Sequence, residues 1–361
     1  MTKPRVLVNC IRMHRKGDRA LSGNFFMCLK LIEAIEALEL IDLYVHVDDQ
    51  TIPYVSPVIP QERLIVENRT VDSILDMELC IRRAIKNLKP DLYHKPSGQL
   101  PILPLGCRTI WGVADLNYRH LKLGFARHFY KQVSYRLSAR KAEQITAISD
   151  STRNQIVDAL KASPRKVKTI YLGTTGFEAK PEPVPNLPKS FLITFGHHEH
   201  KNVETVIRAL ARVNQQDLKL LVIGSLTNRI QLEEIAEESG LADSIRFVGH
   251  ITEGQLVHLY SHAVCLAFLS RHEGFGLPVL EAMGAGCPVV SSDAFALPEV
   301  CNNAAPMYDC DDVQGVADEI GRMSQDNAYR QAWIEKGLAN TKQFTWERAA
   351  REIIEVYKSA L

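Results

Sequence analysis

A chain of 361 residues, 46% hydrophobic and 24% charged, has room for two ordinary domains and the composition of a globular protein, which excludes a disordered or collagen-like chain. No apolar run approaches the ~18 residues of a spanning helix, and MTKPRVLVNCIRMHRKGDRA has too short an apolar core for a signal peptide. The net charge of +1 hides an asymmetry, because residues 1–178 hold 27 Lys+Arg against 18 Asp+Glu and the remainder 16 against 24. Such a split is expected where two folding units face different partners.

In chain order, RVLVNCI (5–11) reads as a first strand, NFFMCLKLIEAIEALEL as a helix and IDLYVHV (41–47) as a second strand. Strand-like RLIVEN, DLYHK, TIWGV and QITAIS then alternate with helical stretches such as 72–88, which argues for a parallel sheet wound by helices. TTGFEAKPEPVPNLPKS (174–190) carries four prolines and no periodicity and reads as a linker. After it the pattern restarts with FLITFG, a helix over 202–214, LKLLVIG, a helix over 228–240, IRFVGH, a helix over 253–262, VCLAFLS, a helix over 277–285 and PVVSS. TWERAAREIIEVYKSAL closes the chain as an amphipathic helix with Thr345 as its N-cap. The fold class expected is α/β, with two doubly wound parallel-sheet domains over 1–178 and 179–344 and a terminal helix over 345–361. The eight cysteines, at 10, 28, 80, 107, 265, 287, 301 and 310, form no CxxC pair, as in a cytoplasmic protein with reduced thiols.

Ligands of open α/β sheets bind at the carboxyl ends of the strands, where helix N-termini offer free N–H groups to anions. SRHEGFGLPVLEAMGAGCPVVSSDAFALPEV (270–300) is built for such a position. A strand leads into a glycine turn, Pro278 falls where a first helical turn tolerates it, and Glu273 and Glu281 flank the turn. Carboxylates accept paired hydroxyl hydrogen bonds, so two of them around a helix mouth suit a ligand with sugar, ribose and diphosphate parts. Taken singly, Glu273 reads as a turn cap and Glu281 as a complement to the helix dipole.

The whole string resembles the E-x7-E signature of the retaining glycosyltransferases of family four, which have the GT-B architecture of two Rossmann-like domains facing across a cleft. FGHHEHKNVETVIRAL, KVKTIYLGTTGF, AEQITAISDSTRNQIVDAL and FTWERAAREIIEVYKSAL resemble further parts of that family, so the similarity covers about 110–361. The resemblance implies that Glu273 contacts donor-sugar hydroxyls, that Glu281 holds the ribose and that Lys201 neutralises the diphosphate. It further implies donor contacts at Gly196, His197, Gly274, Phe275, Gly276 and Leu277, and at Gly23 in a glycine-bearing first loop. His197 stands where the family often has arginine, and Ala114 precedes Asp115 where the family often has histidine. Asp115 reads equally as an acceptor-side catalytic group or as a helix N-cap.

No DxD pair in a metal-bridging context stands out, DCDD (309–312) reads as a loop before a helix, and the His197, His198 and His200 cluster lacks matching carboxylates or cysteines. The expectation is therefore transfer from a nucleotide-diphosphate sugar without metal or other cofactor, to a saccharide or lipid-linked acceptor. Mannose, in surface-polysaccharide assembly, is the first choice of sugar, and UDP-glucose the next donor. A sugar phosphorylase or epimerase of the same fold, and a catalytically silent nucleotide-sugar-binding protein, are the alternatives. Residues 119–141 carry seven Lys+Arg, no acid and interleaved aromatic and leucine residues. They read as a helical face with one buried side or as a peripheral contact with anionic membrane, and no nucleic-acid-binding motif accompanies them.

Overall fold

The computed structural model describes residues 3–11, 13, 23–71, 73–119, 124–174, 179–196, 198–226 and 228–361. The apolar runs become parallel strands because strands covered by helices on both faces need side chains that tolerate burial on both. In the N-terminal half these are β1 (Arg5–Asn9), β2 (Asp42–Asp48), β3 (Leu64–Glu67), β4 (Leu92–Lys95), β5 (Arg108–Val113), β6 (Gln144–Ala147) and β7 (Val167–Thr169), in the order β3-β2-β1-β4-β5-β6-β7. Helices α1 (Gly23–Leu38), α2 (Ile52–Val55), α3 (Ile74–Leu88), α4 (Phe125–Lys141) and α5 (Asp150–Leu160) wind around them.

The second sheet contains β8 (Ser190–Phe195), β9 (Leu218–Ile223), β10 (Ile245–Gly249), β11 (Leu266–Phe268), β12 (Val289–Ser292) and β13 (Met307–Tyr308), in the order β10-β9-β8-β11-β12-β13. Its helices are α6 (Val203–Leu210), α7 (Arg229–Glu238), α8 (Glu253–His262), α9 (Leu277–Gly284), α10 (Leu297–Cys301), α11 (Val313–Gln325) and α12 (Asn327–Thr341). The chain ends in α13 (Trp346–Ala360). It divides into two units, Met1–Gly173 with Thr345–Leu361 (unit 1) and Thr174–Phe344 (unit 2). Residues 175–178 of the proline-rich stretch lie outside the described residues, and 181–189 form neither helix nor strand.

In unit 1 one apolar layer joins the sheet to α1 and α13, through Phe25, Ile32, Ile353 and Tyr357 among others. The opposite layer joins it to α3, α4 and α5 through Ile81, Ala139 and Ile156. Thr345 caps α13 by accepting the Arg348 N–H. In unit 2, α6 begins one residue later and ends four earlier than its sequence pattern suggests, because Asn202 takes a left-handed conformation (φ 56°) and the chain leaves the helix after Leu210.

In each sheet the strand order reverses once, between β1 and β4 in the first and between β8 and β11 in the second. At such a point the loops leaving two neighbouring strands turn to opposite faces, which opens a crevice at the carboxyl edge.

Candidate active site

At the reversal in unit 2, the loops after β8 and β11 carry the residues singled out from sequence. Gly196 follows β8, where an added Cβ would lie 2.3 Å from Leu226 Cδ2 and 2.9 Å from Val222 Cγ1. Lys201 closes a short 3-10 turn, and its Nζ donates to Glu273 Oε1 at 2.7 Å. Both side chains are largely buried, 15% and 14% exposed, and the ammonium lies 4.9 Å from the centre of the Phe268 ring. An ammonium has three donors, and among the described residues only Glu273 accepts from this one.

Glu273 leads through Gly274, Phe275 and Gly276 into α9. Gly276 has φ 114°, a region side chains rarely adopt, and a Cβ there would press on Leu297 Cδ2 at 2.8 Å. Phe275 is 3% exposed with its ring edge-on to Phe344, so its side chain anchors the turn and its backbone is what it can offer a ligand. Leu277 and Pro278 open α9, where Pro278 has no N–H and the Val279 N–H donates to the Gly276 carbonyl at 3.0 Å, so the Leu277 N–H is the amide at the helix mouth without an intrahelical partner. Glu281 lies one turn further. Part of the residue reaches the surface, but its carboxyl group is enclosed, and burial, reinforced by the charge of Glu253, pushes it up to about 7. Among the described residues, the structure thus pairs Glu273 with Lys201 rather than with Glu281.

Three side chains hold this pair in place, and the sequence pattern did not point to them. Arg271 forms a two-pronged bond to Asp311 (2.6 and 2.9 Å) and donates to Asn202 Oδ1 at 3.1 Å, while its N–H donates to the His200 carbonyl at 2.8 Å. Asn202 in turn donates to the Cys310 carbonyl at 2.6 Å. The loops after β8, β11 and β13 are therefore fastened to one another immediately beside Lys201 and Glu273. Asp309, Cys310 and Asp311 form the one cluster among the described residues with metal-ligand spacing, and Asp311 is engaged by Arg271.

His200 stacks on His272 (4.4 Å between ring centres) and His198 (5.6 Å). Burial first, then the neighbouring Lys201, holds His200 down to about 3, so it is neutral near pH 7. His197 lies outside the described residues.

In unit 1, Gly23 begins α1, and an added Cβ would meet nothing within 4 Å, so crowding does not demand glycine there. Asp115 accepts the Asn117 N–H at 2.9 Å, which makes it a local turn cap. Ala114 is 9% exposed and borders a small open-sided hollow whose lining includes Asn24, Cys28, His94, Ser97 and Ile353. His94 shares its Nδ1 with the Tyr357 hydroxyl at 2.7 Å, its Nε2 has no partner, and burial holds it down to about 3. Nearby, the buried Lys95 donates to Asn9 Oδ1, and Asn9 meets His46, which meets Glu67, so polar side chains join the ends of β1 to β4.

Two doubly wound parallel sheets, with charged loops at the reversal of the second, define an enzyme of the GT-B class. A family model described as glycosyl transferases group 1 matches residues 177–360, just over half the chain, and the chain belongs to that family. It is 28% identical over 292 residues to the O-antigen chain mannosyltransferase B of Escherichia coli, covering 76% of each chain. It is 23% identical over 335 residues to the O-antigen chain mannosyltransferase RfbU of Salmonella typhimurium, covering 89% of this chain and 91% of that one. The crystal structure of Anabaena HepE in complex with UDP superposes with a TM-score of 0.77 at 17% identity, over 98% of this chain and 100% of that one. The protein is a glycosyltransferase.

Proposed function

We propose that the enzyme transfers a hexose, mannose in the first instance, from a nucleoside-diphosphate sugar to a saccharide or lipid-linked acceptor in surface-polysaccharide assembly, with retention of anomeric configuration and without a metal. The observation that carries the reading is the Lys201–Glu273 pair at the strand reversal beside the mouth of α9. As the bond from the sugar to the diphosphate breaks, negative charge builds on the departing oxygen. A fixed ammonium there stabilises that charge more than it stabilises the bound donor, and only such a difference accelerates the step.

Lys201 has donors to share between Glu273 and phosphate oxygens. Glu273, held by Lys201, presents its other carboxylate oxygen to sugar hydroxyls, and the Leu277 N–H at the mouth of α9 meets the diphosphate. Glu281 accepts from the ribose. Unit 1 supplies the acceptor side, where Asp115 and the hollow beside Ala114 are the groups at the carboxyl edge. The choice of mannose is supported by the two O-antigen chain mannosyltransferases named above.

The test is a screen of GDP-, UDP-, ADP- and dTDP-sugars by thermal shift and by turnover with and without an oligosaccharide acceptor, with the product anomer read by NMR. GDP-mannose is expected to bind and to yield the retained anomer. An inverted product, or transfer abolished by chelator, removes the corresponding part of the reading, and no response to any donor removes all of it.

Glu281 adds a pH signature. Its folded-state pKa is raised from 4.5 to about 7, so its contribution to stability is complete below the unfolded value and is lost as pH rises through about 7. A ligand that hydrogen-bonds the ionised carboxylate reverses this preference. Nucleoside-diphosphate affinity is therefore expected to rise as pH passes upward through about 7, and Glu281→Gln to flatten that rise in calorimetric titrations. An unchanged profile in the variant would assign the pH dependence to another group.

A further inference from the structure

Helix α4 has an unusual cross-section. Of its seventeen residues only Ser134, Ser138 and Ala139 are buried, whereas a helix that packs on a core normally buries a broad apolar stripe. Tyr135 packs inward on Trp111 and Tyr118, but the other large apolar side chains of the helix point outward. Phe125 is 87% exposed and Phe129 59%, their rings stacked 6.3 Å apart, and Val133 and Leu137 continue the line at four-residue spacing. The helix carries Arg127, Lys131, Arg136, Arg140 and Lys141 and no acidic residue.

The tertiary structure extends this stripe with residues distant in sequence. Tyr130 accepts from Gln99, and Lys141 donates to the Pro101 carbonyl, so the segment between β4 and β5 runs along α4. In that segment Ile102 and Leu103 are each 53% exposed. Their N–H groups donate to the two oxygens of Glu78 on α3, at 3.1 and 2.8 Å, which ties the segment to a helix whose Leu75 and Leu79 are also exposed, at 71% and 60%. Nine of the fifteen exposed large apolar side chains among the described residues fall on these three pieces. The two acids of α3 leave no unengaged carboxylate there, because Asp76 is held by both guanidinium nitrogens of Arg69 and Glu78 is turned inward onto the Ile102 and Leu103 amides.

Exposed apolar side chains gathered on three pieces that are hydrogen-bonded to one another mark a binding surface. We propose that this face of unit 1 docks on an anionic lipid bilayer, its aromatic and aliphatic side chains entering the headgroup boundary while the arginines and lysines meet lipid phosphates. The charge decides the occupant. A second copy docking through the same face would set the four exposed cations of one α4, Arg127, Arg136, Arg140 and Lys141, against four of the other, with no acid on either helix to relieve them, whereas an anionic leaflet attracts them. No described helix is long and apolar enough to cross a membrane, so the contact lies along the surface. This inference stands independently of the donor and acceptor assigned above.

The test is co-sedimentation of the full chain with phosphatidylcholine vesicles with and without phosphatidylglycerol, at low and molar salt. Binding is expected only with phosphatidylglycerol and is expected to be lost at molar salt. Arg136→Gln/Arg140→Gln should weaken it about thirty-fold, roughly 1 kcal/mol for each cation near an anionic leaflet, and Phe125→Ser/Phe129→Ser at least tenfold. Leu75→Ser/Leu79→Ser, on a different helix, should weaken it as well, so that misfolding of one α4 variant does not decide the outcome. Ile230→Ser, on an exposed side chain of unit 2 (74%), should have no effect. Wild-type protein that ignores phosphatidylglycerol vesicles overturns the proposal, as does equal loss in the Ile230 variant. Self-association in ultracentrifugation that the phenylalanine variant abolishes would also overturn it, by assigning the face to a second copy.

Discussion

Glu273→Ala is expected to lower sugar transfer by about 10²- to 10³-fold, the range found when one preorganised polar group at developing charge is removed, while nucleoside-diphosphate binding stays within a few-fold. The expectation follows from where the carboxylate sits. One oxygen is committed to Lys201 at 2.7 Å, and the group stands before the glycine turn rather than at the mouth of α9, where the proposal puts the diphosphate. Its removal should therefore fall on the sugar end of the donor. Steady-state kinetics with the donor identified by the screen, alongside calorimetric binding of the free nucleoside diphosphate, separates the two ends. Equal loss of transfer and of nucleotide binding would show that Glu273 acts through the shape of the loop instead. Glu273→Gln, which keeps the volume and one acceptor oxygen, should retain more activity than the alanine variant if hydrogen bonding to hydroxyls is its task.

Lys201→Met is expected to lower transfer by a similar factor and, in addition, to destabilise unit 2 by about 2–4 kcal/mol. With the ammonium gone, the Glu273 carboxylate, 14% exposed, is left mostly buried without a cation, and breaking a buried pair from one side costs far more than removing the pair. The double variant Lys201→Met/Glu273→Met should therefore recover much of the lost stability in urea unfolding while remaining inactive. Additive losses in the double variant would show that the pair is solvated enough to contribute little, and would leave Lys201 as a purely functional cation. The Arg271–Asp311 bond is not expected to replace Lys201, because both of its carboxylate contacts and its Asn202 contact are already directed away from the pair.

The alternation of strands and helices was legible because β-strands buried on both faces must be apolar throughout and because the winding helices carry a stripe on one side. Helices α8 and α9 fall within a residue of where their patterns place them. In the stretch from α10 to α12, only the start of α11 was read, as the helix that follows DCDD (309–312). For α12 the reason is physical, since its buried residues include Gly337, Asn340 and Thr341 and it presents no apolar stripe. For α11 the signal was present, in Val316, Ile320 and Met323 at helical spacing. Glu273, Lys201 and Gly276 were singled out through the resemblance of their stretches to the family signature, since taken singly each reads as an ordinary turn cap, helix-start lysine or turn glycine. Arg271, Asn202 and Asp311 were not, since an arginine and an aspartate forty residues apart give no sign of meeting. The charge on 119–141 was visible, but residues 120–123 lie outside the described residues, and nothing in the sequence joined that stretch to Leu75, Leu79, Ile102 and Leu103.

The sequence by itself determined the fold class, because alternating buried strands and winding helices show in local periodicity, and it placed Glu273 and Glu281 around the glycine turn that opens α9. The tertiary structure alone decided that Lys201 and Glu273 are partners, that Arg271 fastens three loops around them, and that three hydrogen-bonded segments carry most of the exposed large apolar side chains among the described residues. Those facts depend on which strands lie side by side in the sheet, and the order β8-β11, with two strands of intervening chain displaced to the other side, is settled by packing of the whole unit and not by any neighbouring residues.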